Sequence, residues 1–266
     1  MKRRGFIGLL GGAAAWPLVA HAQQGERMRR IAVLMNTAAD DVEGQERVSA
    51  FLRRLHGLGW TEGKNVHVDT RWASGMPGGY RKFASELVEL KPEVILANGT
   101  PAVAPLLEAT GTIPIVFVSV IDPIGAGFVT SLAQPGANAT GFTIYEYSMG
   151  GKWLEVLKEI APHLTRAAVL RDPGVASGLG LFGAAQAVAP SLRMELTPVD
   201  VREAGEIERG VTGFARSSNG GLIVTGSSAA LRHRDVIISL AARYRLPTIF
   251  PSRVYVTQGG PRLLWA

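Results

Sequence analysis

Pro92-Glu-Val-Ile-Leu-Ala-Asn-Gly-Thr-Pro-Ala-Val-Ala-Pro-Leu-Leu-Glu-Ala-Thr-Gly-Thr-Ile-Pro-Ile-Val-Phe-Val-Ser-Val120 holds a strand, a short helix and a second strand in direct succession. The run 94–97 is wholly apolar and 113–120 is apolar except at Ser119, the pattern of strands covered on both faces. Gly99-Thr100-Pro101 opens the helix predicted over 101–110. Strand, helix and strand with so little between them make a parallel unit joined by a right-handed crossover.

The same unit recurs on both sides. Upstream, Ile31-Ala-Val-Leu-Met35 reads as a buried strand. Residues 43–58 then place Val48, Phe51, Leu52 and Leu55 at helical spacing, with charges on the opposite face. Gly57 and Gly59 end that helix, Asn65-Val-His-Val-Asp69 alternates like a strand, and 80–90 is a helix stopped by Pro92. Downstream, a stretch rich in Gly, Pro and Asn over 122–140 leads into a second series. Its strands are predicted at 167–170, 196–201, 222–225 and 248–250, and its helices at 152–160, 182–189, 204–215 and 231–243. The expected fold is α/β, two doubly wound parallel-sheet lobes with a ligand cleft between them. The first lobe is expected over 29–121, a crossover over 122–140, the second lobe over 141–252 and an incomplete return crossover over 253–266.

Ligands of such sheets sit beyond the carboxyl ends of the strands, where loops enter helix N-termini. The residues there are Asn36 and Thr37, then Asn98, Gly99 and Thr100, then Asp122 in the first lobe. In the second they are Asp172, then Gly226, Ser227 and Ser228. Gly99 lets a ligand approach the backbone, Thr100 suits an N-cap and Pro101 the first helical position, leaving amides for a carboxylate or phosphate. Thr-Pro also caps helices with no ligand. Asp122 and Asp172 are partners for an ammonium group or ordinary starters of Asp-Pro turns. Tyr145 and Tyr147, with Trp72, line an apolar pocket or pack the lobes.

The absence of cysteine excludes disulfides, thiolate metal sites and a thiol nucleophile. His56, His67, His163 and His233 lie scattered, without metal-ligand or general-base spacing, so no metal and no cofactor is expected. Gly178-Leu-Gly-Leu-Phe-Gly183, with Asp200 on the next strand, matches a dinucleotide fingerprint. Its first glycine stands well beyond the strand, which argues against an exported nicotinamide-dependent enzyme.

At the start of the chain, Lys2, Arg3 and Arg4 precede an apolar run over 9–19 that closes on Ala20-His21-Ala22. This is the pattern of a twin-arginine signal peptide, cleaved near Ala22. Without those three basic residues the chain carries 25 basic and 22 acidic ones, a formal +3. That bias is too small to argue for nucleic acid. An exported chain with neither a spanning segment nor a cysteine for lipid is expected in a periplasm.

Several stretches together resemble one family. They are Lys2-Arg-Arg-Gly-Phe-Ile-Gly-Leu-Leu-Gly-Gly12, Arg30-Ile-Ala-Val-Leu-Met35, Leu58-Gly-Trp-Thr-Glu-Gly-Lys-Asn-Val66, Pro92-Glu-Val-Ile-Leu-Ala97 with Gly99-Thr-Pro101, Ile113-Pro-Ile-Val116, Pro135-Gly-Ala-Asn-Ala-Thr-Gly-Phe142 and Lys152-Trp-Leu-Glu-Val-Leu-Lys-Glu-Ile-Ala-Pro162. They resemble the ABC-transporter substrate-binding proteins of the TrpX-like group, of type I periplasmic binding protein fold. The resemblance implies a monomer without catalysis whose lobes close on a small ligand, an amino acid or small carboxylate, and dock on an inner-membrane permease. A ligand-sensing module of the same fold is the alternative. The implied contacts are Asn36, Thr37, Gly99, Thr100, Asp122, Asp172, Ser227 and Ser228. The resemblance stops near Gly260. Pro261-Arg-Leu-Leu-Trp-Ala266 stands where the family continues into a strand returning to the first lobe, so a truncated chain with a weakened hinge and uncovered apolar surface on that lobe is expected.

Overall fold

The computed structural model describes residues 28–73 and 78–257. The start read as a signal peptide and the C-terminal departure at Pro261 lie outside the described residues. Two parallel sheets form, each wrapped by helices. In the first lobe, β1 (Arg29–Met35), β2 (Val66–Trp72), β3 (Val94–Asn98), β4 (Ile115–Val120) and β5 (Ala139–Thr143) are ordered β2-β1-β3-β4-β5. Helices α1 (Val42–Gly57), α2 (Gly79–Glu89) and α3 (Thr100–Ala109) make the crossovers.

The second lobe runs α4 (Met149–Ile160), β6 (Arg166–Arg171), α5 (Ala176–Val188), β7 (Glu195–Asp200), α6 (Ala204–Phe214), β8 (Gly220–Val224), α7 (Ser228–Arg232), α8 (Arg234–Arg243), β9 (Thr248–Ile249) and α9 (Val254–Thr257). Its sheet order is β7-β6-β8-β9.

The apolar runs become the interior strands. Ala32, Val33 and Leu34 of β1 are wholly buried between β2 and β3, with Ile31 opposite Val94 in the parallel register. Ala167, Ala168 and Leu170 of β6 do the same for the second sheet. One cluster, from Leu34 and Ile95 to Phe83 and Leu106, fills a face of the first sheet. Two clusters cover both faces of the second, one around Trp153 and Leu157 and one around Ile207, Leu222 and Ile237.

The structure departs from the sequence reading at four places. Where a plain connection is expected over 122–140, the chain returns to the first sheet and adds β5, so that lobe runs past Ile121 to Thr143. Gly141 in the middle of β5 hides the strand pattern, and is needed because a Cβ there would lie 2.0 Å from the Phe117 carbonyl oxygen. Helix α5 starts at Ala176, not 182. The predicted helix 231–243 is broken at His233 into α7 and α8. Helix α1 forms as expected, but its apolar stripe of Val48, Phe51, Leu52 and Leu55 is half-buried, and Gly44 is its one fully buried residue.

Candidate functional site

The carboxyl ends of the two sheets face each other across a cavity of about 180 Å³. From the first lobe it is lined by Asn36 after β1, Glu43 and Arg47 of α1, Gly99, Thr100 and Pro101 at the start of α3, and Ser119 and Ile121 at the end of β4. The second lobe supplies Val175 and Ser177, Gly226, Ser227, Ser228 and Leu231, then Pro251, Ser252 and Tyr255. Ile144 and Tyr145, just past β5, complete the lining.

Strand ends build this site because each loop turns its first polar residue into the gap between lobes. Gly99 has φ +82°, and a Cβ on it would fall 2.1 Å from Asn36 Nδ2, so a side chain there would displace Asn36. Gly99, not Thr100, is the residue before the helix. The Thr100 hydroxyl instead accepts the Ile121 amide at 3.1 Å, tying the start of α3 to the end of β4. The Gly99 amide donates to the Val118 carbonyl at 2.9 Å and the Ala102 amide to the Gly99 carbonyl at 3.1 Å. Proline has no N–H, so the Thr100 amide is the candidate donor for an anion. The helix start therefore offers less than its sequence promises.

Ser119 and Asp122 hold left-handed backbone conformations, with φ of +57° and +44°. Such strain in non-glycine residues collects at functional sites. In the second lobe, Ser227 caps α7 by accepting the Ala230 amide at 3.0 Å. Tyr145 places its hydroxyl against the Gly226 backbone and its ring edge-on to Trp153 at 5.3 Å. Burial pushes the Tyr145 and Tyr255 phenols well above the ordinary tyrosine range.

Of the residues the sequence reading singles out, Asn36, Gly99, Thr100, Tyr145, Gly226, Ser227 and Ser228 line this one cavity. Thr37 and Asn98 are buried just behind the lining, Thr37 against Gly44 of α1. The two aspartates stay out of it. Asp122 engages both carboxylate oxygens, accepting from the Gly125 amide of its own turn at 2.7 Å and from the distant Tyr147 amide at 3.1 Å. Asp172 accepts from the Gly174 amide at 2.9 Å. Backbone amides thus engage both oxygens of Asp122 and one of Asp172, and neither residue lines the cavity. Tyr147 and Trp72 pack against Gly180 and Gly44, away from the cavity.

Sequence reasoning missed Glu43 and Arg47, an ion pair of 2.5 Å one turn apart on α1. Their place on the charged face of a helix looks like solvated surface, and no motif marks them. Asn36 Oδ1, Glu43 Oε2 and Ser228 Oγ are covered yet have no hydrogen-bond partner among the described residues. Covered polar atoms without partners are costly, and a bound ligand would satisfy them.

No histidine lines the cavity, and no group of metal-binding side chains occurs among the described residues. The glycines of the dinucleotide fingerprint lie inside α5. Gly178 lets that helix pass the Asp172 carbonyl, where a Cβ would sit 2.0 Å from its oxygen, and Gly180 abuts the Tyr147 ring. Gly178 and Gly180 serve packing, and with Gly183 also inside the helix no phosphate loop is left.

Known proteins agree with this geometry. The model of the ABC transporter substrate binding protein family matches residues 31–264. A tyrosine-binding protein of Clostridioides difficile is 32% identical over 120 residues, which are 45% of this chain and 34% of that protein. The match thus spans about a third of that relative. A conserved domain protein from Vibrio cholerae superposes with a TM-score of 0.77 at 26% identity, covering 88% of this chain and 77% of that one. An ABC domain from Streptococcus pneumoniae, solved in complex with L-Trp, superposes at 0.75 with 19% identity and the same coverage. The fold is that of type I periplasmic binding proteins, as expected. No helix among the described residues is long and apolar enough to cross a membrane. Binding proteins, not enzymes, make up the family, and with its model spanning 31–264 this chain belongs to the ABC transporter substrate-binding proteins.

Proposed function

We propose that this chain is an exported, monomeric receptor that takes an amino acid or a small carboxylate into the interlobe cavity and presents it to an ABC permease in the inner membrane. The observation that carries the reading is the cavity between the sheet ends, with unpartnered Asn36 Oδ1, Glu43 Oε2 and Ser228 Oγ at its walls. The Thr100 amide and the hydroxyls of Ser227 and Ser228 receive the carboxylate. Glu43 and Asn36 take the ammonium group, in place of the two aspartates. Ile121, Ile144, Tyr145 and Leu231 surround the side chain. The tyrosine-binding relative and the L-Trp complex support an aromatic amino acid as the first ligand to test.

Titration calorimetry of the chain from Gln23 with L-tyrosine, L-tryptophan, branched amino acids, simple carboxylates, NAD and NADP tests this. Saturable binding of one amino acid or carboxylate class is expected. Binding of the dinucleotides alone, or of nothing, overturns it. Export rests on the basic start and Ala20-His21-Ala22. N-terminal sequencing of the protein recovered from a periplasmic fraction is expected to begin at Gln23.

A further inference from the structure

Two side chains from opposite lobes meet beside the cavity. Asp41, the residue before α1, accepts the Gly44 amide through Oδ1 at 2.8 Å, which pins its carboxylate to the first lobe. Its Oδ2 lies 3.6 Å from Arg234 Nη1 of the second lobe, with side-chain exposures of 15% and 23%. Arg234 is pinned in turn, because Nη1 donates to the Leu231 carbonyl at 3.0 Å. The break at His233 makes this possible: it ends α7 and lets α8 restart with Arg234 at its head, turned toward the first lobe. The Tyr80 phenol of α2 faces the Ser228 hydroxyl of α7 across the same gap, without hydrogen-bond geometry. Helix α7, which carries Ser228 and Leu231 into the cavity, is thus faced from the first lobe by Tyr80, while Asp41 reaches Arg234, the residue that bonds the Leu231 carbonyl of α7.

We propose that the Asp41–Arg234 pair is an interlobe latch, a contact made only when the cleft is shut, which biases the ligand-free chain toward closure. Both ends are anchored on their own lobes by a second hydrogen bond, so little side-chain freedom is lost when the pair forms, and opening the lobes must separate two partly buried charges. The latch regulates the proposed binding site and matters for uptake only if that reading holds, but its presence is read without ligand.

The chain has no cysteine, so Ser49→Cys and Ser218→Cys, exposed positions on the first and second lobes, accept spin labels cleanly. Pulsed electron resonance on the ligand-free labelled protein then reports the interlobe distance. In Asp41→Asn, which keeps the helix cap, and in Arg234→Gln, the ratio of short to long distances is expected to fall about two- to fivefold, and no further in the double variant. Salt of roughly 1 M should do the same to the parent and nothing to the variants. Unchanged distances in both variants, or a change in Asp41→Asn alone, overturn the latch. A urea midpoint within error of the parent separates opening from unfolding. A failure of every amino acid and carboxylate to bind would overturn the proposed function and leave these distances as they are.

Discussion

Gly99 and Asn36 form the most constrained contact of the cavity. Gly99→Ala meets a left-handed backbone and a Cβ position 2.1 Å from Asn36 Nδ2. It should cost about 1–3 kcal/mol in a denaturant titration and about tenfold or more in ligand affinity by calorimetry. Thr100→Val leaves the buried Ile121 amide without its acceptor and is expected to lower stability by about 1–3 kcal/mol. Glu43→Gln separates two ligand chemistries: L-tyrosine should lose about tenfold or more in affinity, and its analogue lacking the amine should lose little. Asn36, Gly99, Thr100 and Ser228 were legible because the strand-end rule needs no side-chain geometry. Asp122 and Asp172 satisfy the same rule, yet neither lines the cavity, and backbone amides engage both oxygens of the first and one of the second.

Helix α5 shows how one motif supports two readings. The spacing of Gly178, Gly180 and Gly183 matches a phosphate loop, whereas in the fold all three are helical. Their neighbours differ, and that yields a test. Gly178→Ala drives a methyl group to 2.0 Å from the Asp172 carbonyl oxygen and should destabilise by about 1–3 kcal/mol. Gly183 has nothing within 4 Å of its Cβ position, so Gly183→Ala should raise stability by about 0.4–1 kcal/mol in the same urea titration. β5 and the break at His233 were not legible. β5 is a short edge strand with a glycine at its centre, and the apolar and basic residues around His233 suit a continuous helix.

The assembled molecule places its most shielded phenols along the cleft. Tyr80, Tyr145 and Tyr255 are each shifted above the ordinary tyrosine value of about 10, chiefly by loss of water around the phenolate. A raised folded-state value means that the unfolded chain gives up these protons first. Their contribution is therefore complete below about pH 10 and lost as pH rises beyond it. Urea midpoints should be flat from pH 8 to 9 and then fall, each tyrosine adding a slope of up to about 1.4 kcal/mol per pH unit. Replacing Tyr145 by Phe should reduce that slope. The first lobe also leaves Phe142 of β5 72% and Ile144 just after it 56% exposed, and half-covers the apolar stripe of α1.

The amino-acid order by itself determined the alternation of strands and helices, the two lobes and the edge at which the cavity opens. Those follow from local periodicity and from the one handedness that parallel crossovers adopt. Only the tertiary structure decided which polar groups face the cavity. Glu43 and Arg47 enter it because α1 leans over the strand ends, Asp122 and Asp172 leave it because neighbouring amides claim them, and Arg234 reaches Asp41 because a helix breaks at His233. Each outcome depends on where a second, distant segment lies. Such information is absent from spacing along the chain and appears once the lobes have packed.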